Sequence, residues 1–344
     1  MAAYADFTWD EIQSQPHAWE QTLTRIANSE VELLKLALSI DYEQVIVTGC
    51  GSTYYLALAA AASLREIAQT DALALPASEL WLNPHTSFPS PRQTLLIAVS
   101  RSGETTETLR AVEAYRQAQR GPILTLSCYA ERPLAQMGDV NLVLPAGQER
   151  SIAQTRAFST LYIGSLAFAS LRAKRSYLYE ALHQLPAACS TILEQAHTSA
   201  QALGNDQGIT RCFFLGSGAR YGLAGELSLK MKEMSLSESE PFHMLEFRHG
   251  PQSMARQGTL IVGLLSEAQR QHEDAVLNEM QALGASIVRV GSQPADIQLA
   301  ALPEAIRGPL YLPFGQMLAY ERAIARGLTP DRPSQLEAVV RLEG

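Results

Sequence analysis

Two stretches of this chain run through the same residues in the same order. Gly49-Cys50-Gly51-Ser52-Thr53-Tyr54-Tyr55-Leu56-Ala57 aligns with Gly216-Ser217-Gly218-Ala219-Arg220-Tyr221-Gly222-Leu223-Ala224 at an offset of 167, which also pairs Glu66 with Glu233 and Glu79 with Glu246. Thr94-Leu95-Leu96-Ile97 recurs as Thr259-Leu260-Ile261-Val262 at 165, and Leu144-Pro145-Ala146-Gly147 as Leu312-Pro313-Phe314-Gly315 at 168. Three matches in order and in one register imply a duplicated unit. In the first copy the β-branched run Val45 to Val47 stops at the two glycines and passes into an Ala- and Leu-rich segment, a strand, tight turn and helix. Further strand candidates at 72–75, 95–99, 123–126 and 142–144 are separated by enough chain for crossover helices, so the sheet is expected to be parallel. The expected fold is α/β, with two tandem doubly wound units. A helical segment spans 1–39, the copies 40–175 and 207–325, a helical connector 176–206 and a tail 326–344.

Composition narrows the function. Hydrophobic residues at 47% and charged residues at 18% are those of a globular chain that buries a large core. The net charge of −8 and the isolation of the basic stretch Arg172 to Arg175 speak against a nucleic-acid partner. Four scattered cysteines, with no Cys-x-x-Cys pair, suit a reducing cytoplasm. Neither a signal-like start nor an apolar run of about 20 residues is visible, so no membrane anchor is expected. The seven histidines include no metal-type pair, and Tyr54 and Tyr221 stand where a dinucleotide fingerprint needs its third glycine. The expectation is therefore no metal and no cofactor.

In open α/β sheets ligands collect at the carboxyl ends of strands, where helices begin. There the first copy places Ser100-Arg101-Ser102-Gly103-Glu104-Thr105. These hydroxyls either cap the next helix or ring a phosphate. The second copy has Leu265-Ser266-Glu267-Ala268 at this point, so the shared fold does not require the hydroxyl cluster. Ser52 and Thr53 are expected to face the same ligand space. In the second copy Glu226, Lys230, Glu233 and Ser237 recur at helical spacing, as a solvated charged face or as a functional one. On the functional reading Glu233 is a general base, its carboxyl lifted by burial, and His249, in the turn before Gly250-Pro251, is poised for proton transfer.

These motifs, with Glu149-Arg150-Ser151-x-Ala153-x-Thr155-x-Ala157-Phe158, Lys230-x-Lys232-Glu233 and Arg248-His249-Gly250-Pro251, resemble the sugar isomerase (SIS) family. The likeness is to the isomerase half of glucosamine-6-phosphate synthase and to stand-alone amino-sugar-phosphate deaminases and ketose/aldose isomerases. Glu11-Ile12-x-x-Gln15-Pro16 and Asp331-x-Pro333 also fit. The resemblance implies two SIS units of flavodoxin-like three-layer form. It assigns phosphate binding to Ser100, Arg101, Ser102, Thr105, Ser52 and Thr53, with Arg101 in place of a frequent Gln. It assigns further substrate contacts to Gly51, Glu149, Ile152, Gln154 and Glu226, and catalysis to Glu233, His249 and Lys230. It implies a homodimer whose histidine serves the neighbouring subunit's site, and an (amino)hexose 6-phosphate as substrate for C1/C2 proton transfer. The family's glutamine-hydrolysing domain has no counterpart here, and Ala338 stands where the synthase has a Schiff-base lysine. A non-catalytic phosphosugar sensor is the alternative, and it would need neither Glu233 nor His249.

Overall fold

The computed structural model describes residues 6–88, 92–337, 339–340 and 342. They form two compact units. The first comprises His17–Glu149, Arg156–His183 and the described residues after 336; the second comprises the described residues up to Pro16, Arg150–Thr155 and Gln184–Leu336.

The first unit's strands are β1 (Gln44–Gly49), β2 (Asp71–Pro76), β3 (Thr94–Ser100), β4 (Ile123–Ser127) and β5 (Val140–Val143), all parallel, in the order β2-β1-β3-β4-β5. This is the flavodoxin-like order, with its switch point between β1 and β3. Every residue of β3 and β4 is buried, because helices cover both faces and leave no polar side to alternate with. Ile46, Leu96, Ala98 and Ile123 pack with Leu80, Ala111, Val112 and Tyr115 on one face. Against the other lies the helix Arg156–Arg172, whose residues Ala157 to Leu171 are all buried. Gly164 brings it close: a β-carbon there would sit 3.2 Å from Leu144 and 3.3 Å from Leu126.

The second unit repeats the plan with β6 (Arg211–Leu215), β7 (Glu238–Phe242), β8 (Thr259–Leu264), β9 (Ser286–Gly291) and β10 (Ile297–Gln298), in the order β10-β9-β8-β6-β7. Read from β7, this is the order of the first sheet. The helix Leu185–Asn205, within the connector expected from sequence, is part of this unit. It packs against the helix Leu312–Ala325, which also covers Ala219–Ser235. Among the described residues no helix is long and apolar enough to cross a membrane.

The repeat is exact in its turns. Gly51 has φ 54° and ψ −123°, and Gly218 has φ 60° and ψ −133°, a conformation open only to glycine. Each precedes the helix that follows its unit's first strand. A β-carbon on either would meet nothing within 4 Å, so the requirement is one of backbone conformation and not of space. Gly51→Ala should lower stability by about 1–3 kcal/mol, measured by urea denaturation; a loss under about 0.5 kcal/mol, within the range of an ordinary surface change, would show that the turn relaxes freely.

Candidate functional site

The carboxyl edge of the first sheet gathers hydroxyls. Ser100 is 2% exposed and Ser102 9%. The oxygens of Ser100, Ser102 and Thr105 form a triangle with sides of 3.4, 3.3 and 3.3 Å. Gly103 N–H donates to Ser100 Oγ at 3.1 Å and Glu104 N–H to Ser102 Oγ at 3.3 Å, which fixes the loop around them. Thr105 occupies the N-cap of the helix Thr106–Gln117, yet its hydroxyl caps nothing in that helix. Of the two readings the sequence left open, plain capping is not what this hydroxyl does. Close beside the cup, Val340 O accepts from Thr106 N–H and Leu342 N–H donates to Thr106 Oγ1, so the chain's C-terminal segment runs over the helix start. Ala338, the position of interest for imine chemistry, lies outside the described residues.

The remaining first-unit candidates divide. Ser52, 4% exposed, opens the helix after Gly51. The Thr53 hydroxyl is taken up by the turn itself: it donates to Cys50 O and accepts from Cys50 N–H, both at 2.9 Å. Arg101 is buried and pairs with the fully buried Glu149 at 3.5 Å, while Glu149 Oε1 also accepts from Ala157 N–H at 3.2 Å. Burial pushes the thiol of Cys50, between the glycines, up to about 11, which disfavours the thiolate.

Ile152 and Gln154 belong to the short segment Arg150–Thr155 of the second unit. Its placement explains two motifs at opposite ends of the chain. Glu11 accepts from Arg150 N–H and from the Ser151 hydroxyl, and Gln316 Nε2 donates to Thr155 O at 3.2 Å. Gln15 in turn bonds Gln316 at 2.9 Å. Asp331 accepts from Phe7 N–H, Thr8 N–H and Thr8 Oγ1, and its own carbonyl accepts from Ile152 N–H at 3.0 Å. So the chain's two ends clamp the segment, a role that the sequence reading did not give to Glu11 or Asp331. Gln154 keeps a buried amide oxygen with no hydrogen-bond partner among the described residues, a place for a ligand hydroxyl to donate.

In the helix Ala219–Ser235, Glu226 and Lys230 are both 0% exposed, so this is not a solvated face. Lys230 Nζ lies 3.3 Å from Glu226 Oε1 and donates a short hydrogen bond to Glu233 Oε2. Glu233 itself is 20% exposed, the open end of a buried ion triad. Burial works against the ammonium, but the two carboxylates more than offset it and leave Lys230 titrating above its ordinary 10.5. Ser237 lies beyond the helix end, bonded to Ser235 at 2.9 Å and to Arg322 at 2.8 Å, and does not extend the triad. His249 ends the short 3-10 turn Glu246–Arg248 with its side chain exposed. A cavity of about 410 Å³ in this unit is lined by Lys232 and by Arg211, Phe213 and Phe242, and includes neither Glu233 nor His249. No group of three or more His, Cys, Asp or Glu among the described residues is placed to hold a metal ion.

The sequence pattern of the SIS domain matches residues 40–171. That match lies in the first of the chain's two parallel five-stranded units, and the second unit has the same strand plan. Among solved structures it is similar to the glucosamine-6-phosphate deaminase of Thermotoga maritima, at 27% identity and a TM-score of 0.82 over 97% of this chain and 99% of that one. It is also similar to the tagatose-6-phosphate ketose/aldose isomerase of Escherichia coli, at 25% identity and a TM-score of 0.86 over 96% of each. In sequence it is 29% identical to the isomerizing glutamine–fructose-6-phosphate aminotransferase of Halobacterium salinarum, over 99% of this chain and 60% of that protein. The chain thus spans about 60% of the length of the curated relatives it matches.

Lys230→Met should cost about 3–5 kcal/mol, since it removes the buried ammonium that Glu226 and Glu233 pair with. Because its folded value is raised, the lysine's contribution is complete below pH 10.5 and is lost only as pH climbs through the folded value. Chemical denaturation at pH 7 checks the first point; a loss below about 1 kcal/mol, the size of an exposed ion pair, would mean that the triad is not dry.

Proposed function

We propose that this chain is a phosphosugar isomerase or deaminase that moves a proton between C1 and C2 of an amino-hexose 6-phosphate. The observation that carries the reading is the buried triad. A folded chain accepts a fully desolvated ammonium and carboxylate only at a substantial energetic penalty. This one does so where a single carboxylate, Glu233, emerges at the exposed end. A phosphosugar sensor gains nothing from such an arrangement, whereas an acid/base catalyst needs a carboxylate held in one position.

In this reading Ser100, Ser102 and Thr105 hold the phosphate oxygens, with Ser52 and the helix start behind Gly51 beside them. Thr53 contributes by shaping the turn. The phosphate lies four bonds or more from the reacting carbons, so its grip orients the substrate and leaves the chemistry to Glu233. The carboxylate takes the proton from C2 of the aldose form and returns it to C1 through an ene-diol. With a 2-amino sugar the intermediate is an enolamine; its protonation at C1 leaves an imine at C2, to which water adds before the C–N bond breaks, releasing ammonia and leaving the ketose carbonyl. Lys230 positions Glu233, Glu226 anchors Lys230, and His249 assists ring opening. Gln154 and Ile152 contact the sugar. The similar structures bear names of both reaction types, a deaminase and a ketose/aldose isomerase, and both types need this set of groups. The protein works as a homodimer in a cytoplasmic setting.

Glu233→Gln preserves shape and a hydrogen-bond acceptor for Lys230 while removing the base. Turnover should fall by about 10²–10⁴-fold, with phosphosugar affinity changed less than about threefold. A panel of hexose 6-phosphates, with and without a 2-amino group, followed for ketose formation and ammonia release, supplies the substrate. Binding of one or more of them with no turnover by the unaltered protein would turn the assignment to the sensor.

A further inference from the structure

The two units share strand order and first-turn conformation, so the second unit's counterpart of the hydroxyl cup can be compared with the first residue by residue. At the repeat offset of 167, Arg220 stands at the place of Thr53, and at 165 Leu265, Glu267 and Arg270 stand at the places of Ser100, Ser102 and Thr105. The hydroxyls are gone, but the donors of an oxyanion site remain. At the end of β8, Ser266 N–H and Glu267 N–H point at acceptors, and the Arg220 guanidinium is 84% buried beside them. The acceptors belong to the chain. Glu273, 1% exposed in the helix Arg270–Ala282, takes the Ser266 N–H at 2.6 Å and lies 3.9 Å from Arg220 Nη2. Glu304 takes Glu267 N–H at 3.1 Å with one oxygen and Arg220 Nη1 at 2.8 Å with the other.

We propose that the second unit holds an oxyanion-binding cup kept filled by Glu273 and Glu304, and that removing either carboxylate opens it to inorganic phosphate. Two carboxylate groups here do what the oxygens of one phosphate would do: accept from successive backbone N–H groups at a strand end and from a forked guanidinium. The fit is not perfect. Arg220 Nε is buried with no hydrogen-bond partner among the described residues, a donor that a tetrahedral anion has oxygens enough to reach. Charge closes the cup further. Among the described residues, Glu267, Glu273 and Glu304 pair with Arg220 and Arg307, the latter 2.7 Å from Glu267, so three carboxylates meet two guanidiniums and the excess negative charge repels an incoming anion. Of the two cups compared, the hydroxyl-lined one is therefore left to accept phosphate. That assignment rests on the function proposed above; the filling of the second cup by carboxylates does not.

The test uses thermal unfolding of the full chain in inorganic phosphate against sodium chloride of matched ionic strength. The parent carries Ser102→Ala, which disables the first cup. Glu304→Ala and Glu273→Ala are added to it singly. Each should lower Tm in chloride by about 5–10 °C, since a buried guanidinium loses a partner. About 20 mM phosphate should return at least half of that loss, while shifting the parent by less than about 1 °C. Glu304 is partly exposed, so its variant decides the matter if Glu273→Ala does not fold. Equal phosphate responses in the parent and the Glu304 variant would overturn the proposal. Whether Ser102→Ala weakens the phosphate response of the unaltered chain judges the first cup separately.

Discussion

Parallel strands can be joined only by crossovers that return to the same end of the sheet, and this constraint organises both units. It sends every strand-to-helix turn to one edge, where the helices present N–H groups that have no partner inside the helix. Each unit must then satisfy or use those donors. Gly51 and Gly218 solve the first turn identically, with a backbone conformation that no side chain tolerates. The second turn is solved in two ways: by a triangle of hydroxyls in one unit and by carboxylates of the chain in the other.

That difference sets the two copies apart chemically. Hydroxyls are neutral, small and able to donate or accept. Carboxylates consume the same kind of donors and add negative charge. The second unit instead invests burial elsewhere. Its first helix carries Lys230 in a dry environment, where the ammonium is held by Glu226 behind and Glu233 in front. The helix Leu312–Ala325 creates that environment by approaching closely enough that a β-carbon on Gly315 would sit 2.7 Å from Leu227.

The first unit's strands were legible because buried parallel strands are short apolar runs, and Val45 to Val47, Leu95 to Val99 and Ile123 to Leu126 are such runs ending at turn residues. The hydroxyl cup was legible for a related reason. Its residues are local in sequence and sit where a strand must end. The character of the Glu226, Lys230 and Glu233 face was not legible from spacing, since alternating charge at helical intervals looks the same in water and in a core. Nor were the clamps of Glu11 on Ser151 and of Asp331 on Thr8, which join residues 140 and 323 positions apart. No periodicity extends that far.

The sequence by itself determined the duplication, the α/β class, the parallel sheets and the place of the hydroxyl cup. These follow from patterns within a few turns or strands, where local sterics and hydrophobic period are decisive. Tertiary structure alone decided which charges are buried, which hydroxyls are already engaged, as in Thr53, and which donors the chain satisfies from within, as at Ser266. The reason is physical. An ionic group's behaviour depends on what displaces its water, and that is set by the elements packed over it, which lie far away along the chain.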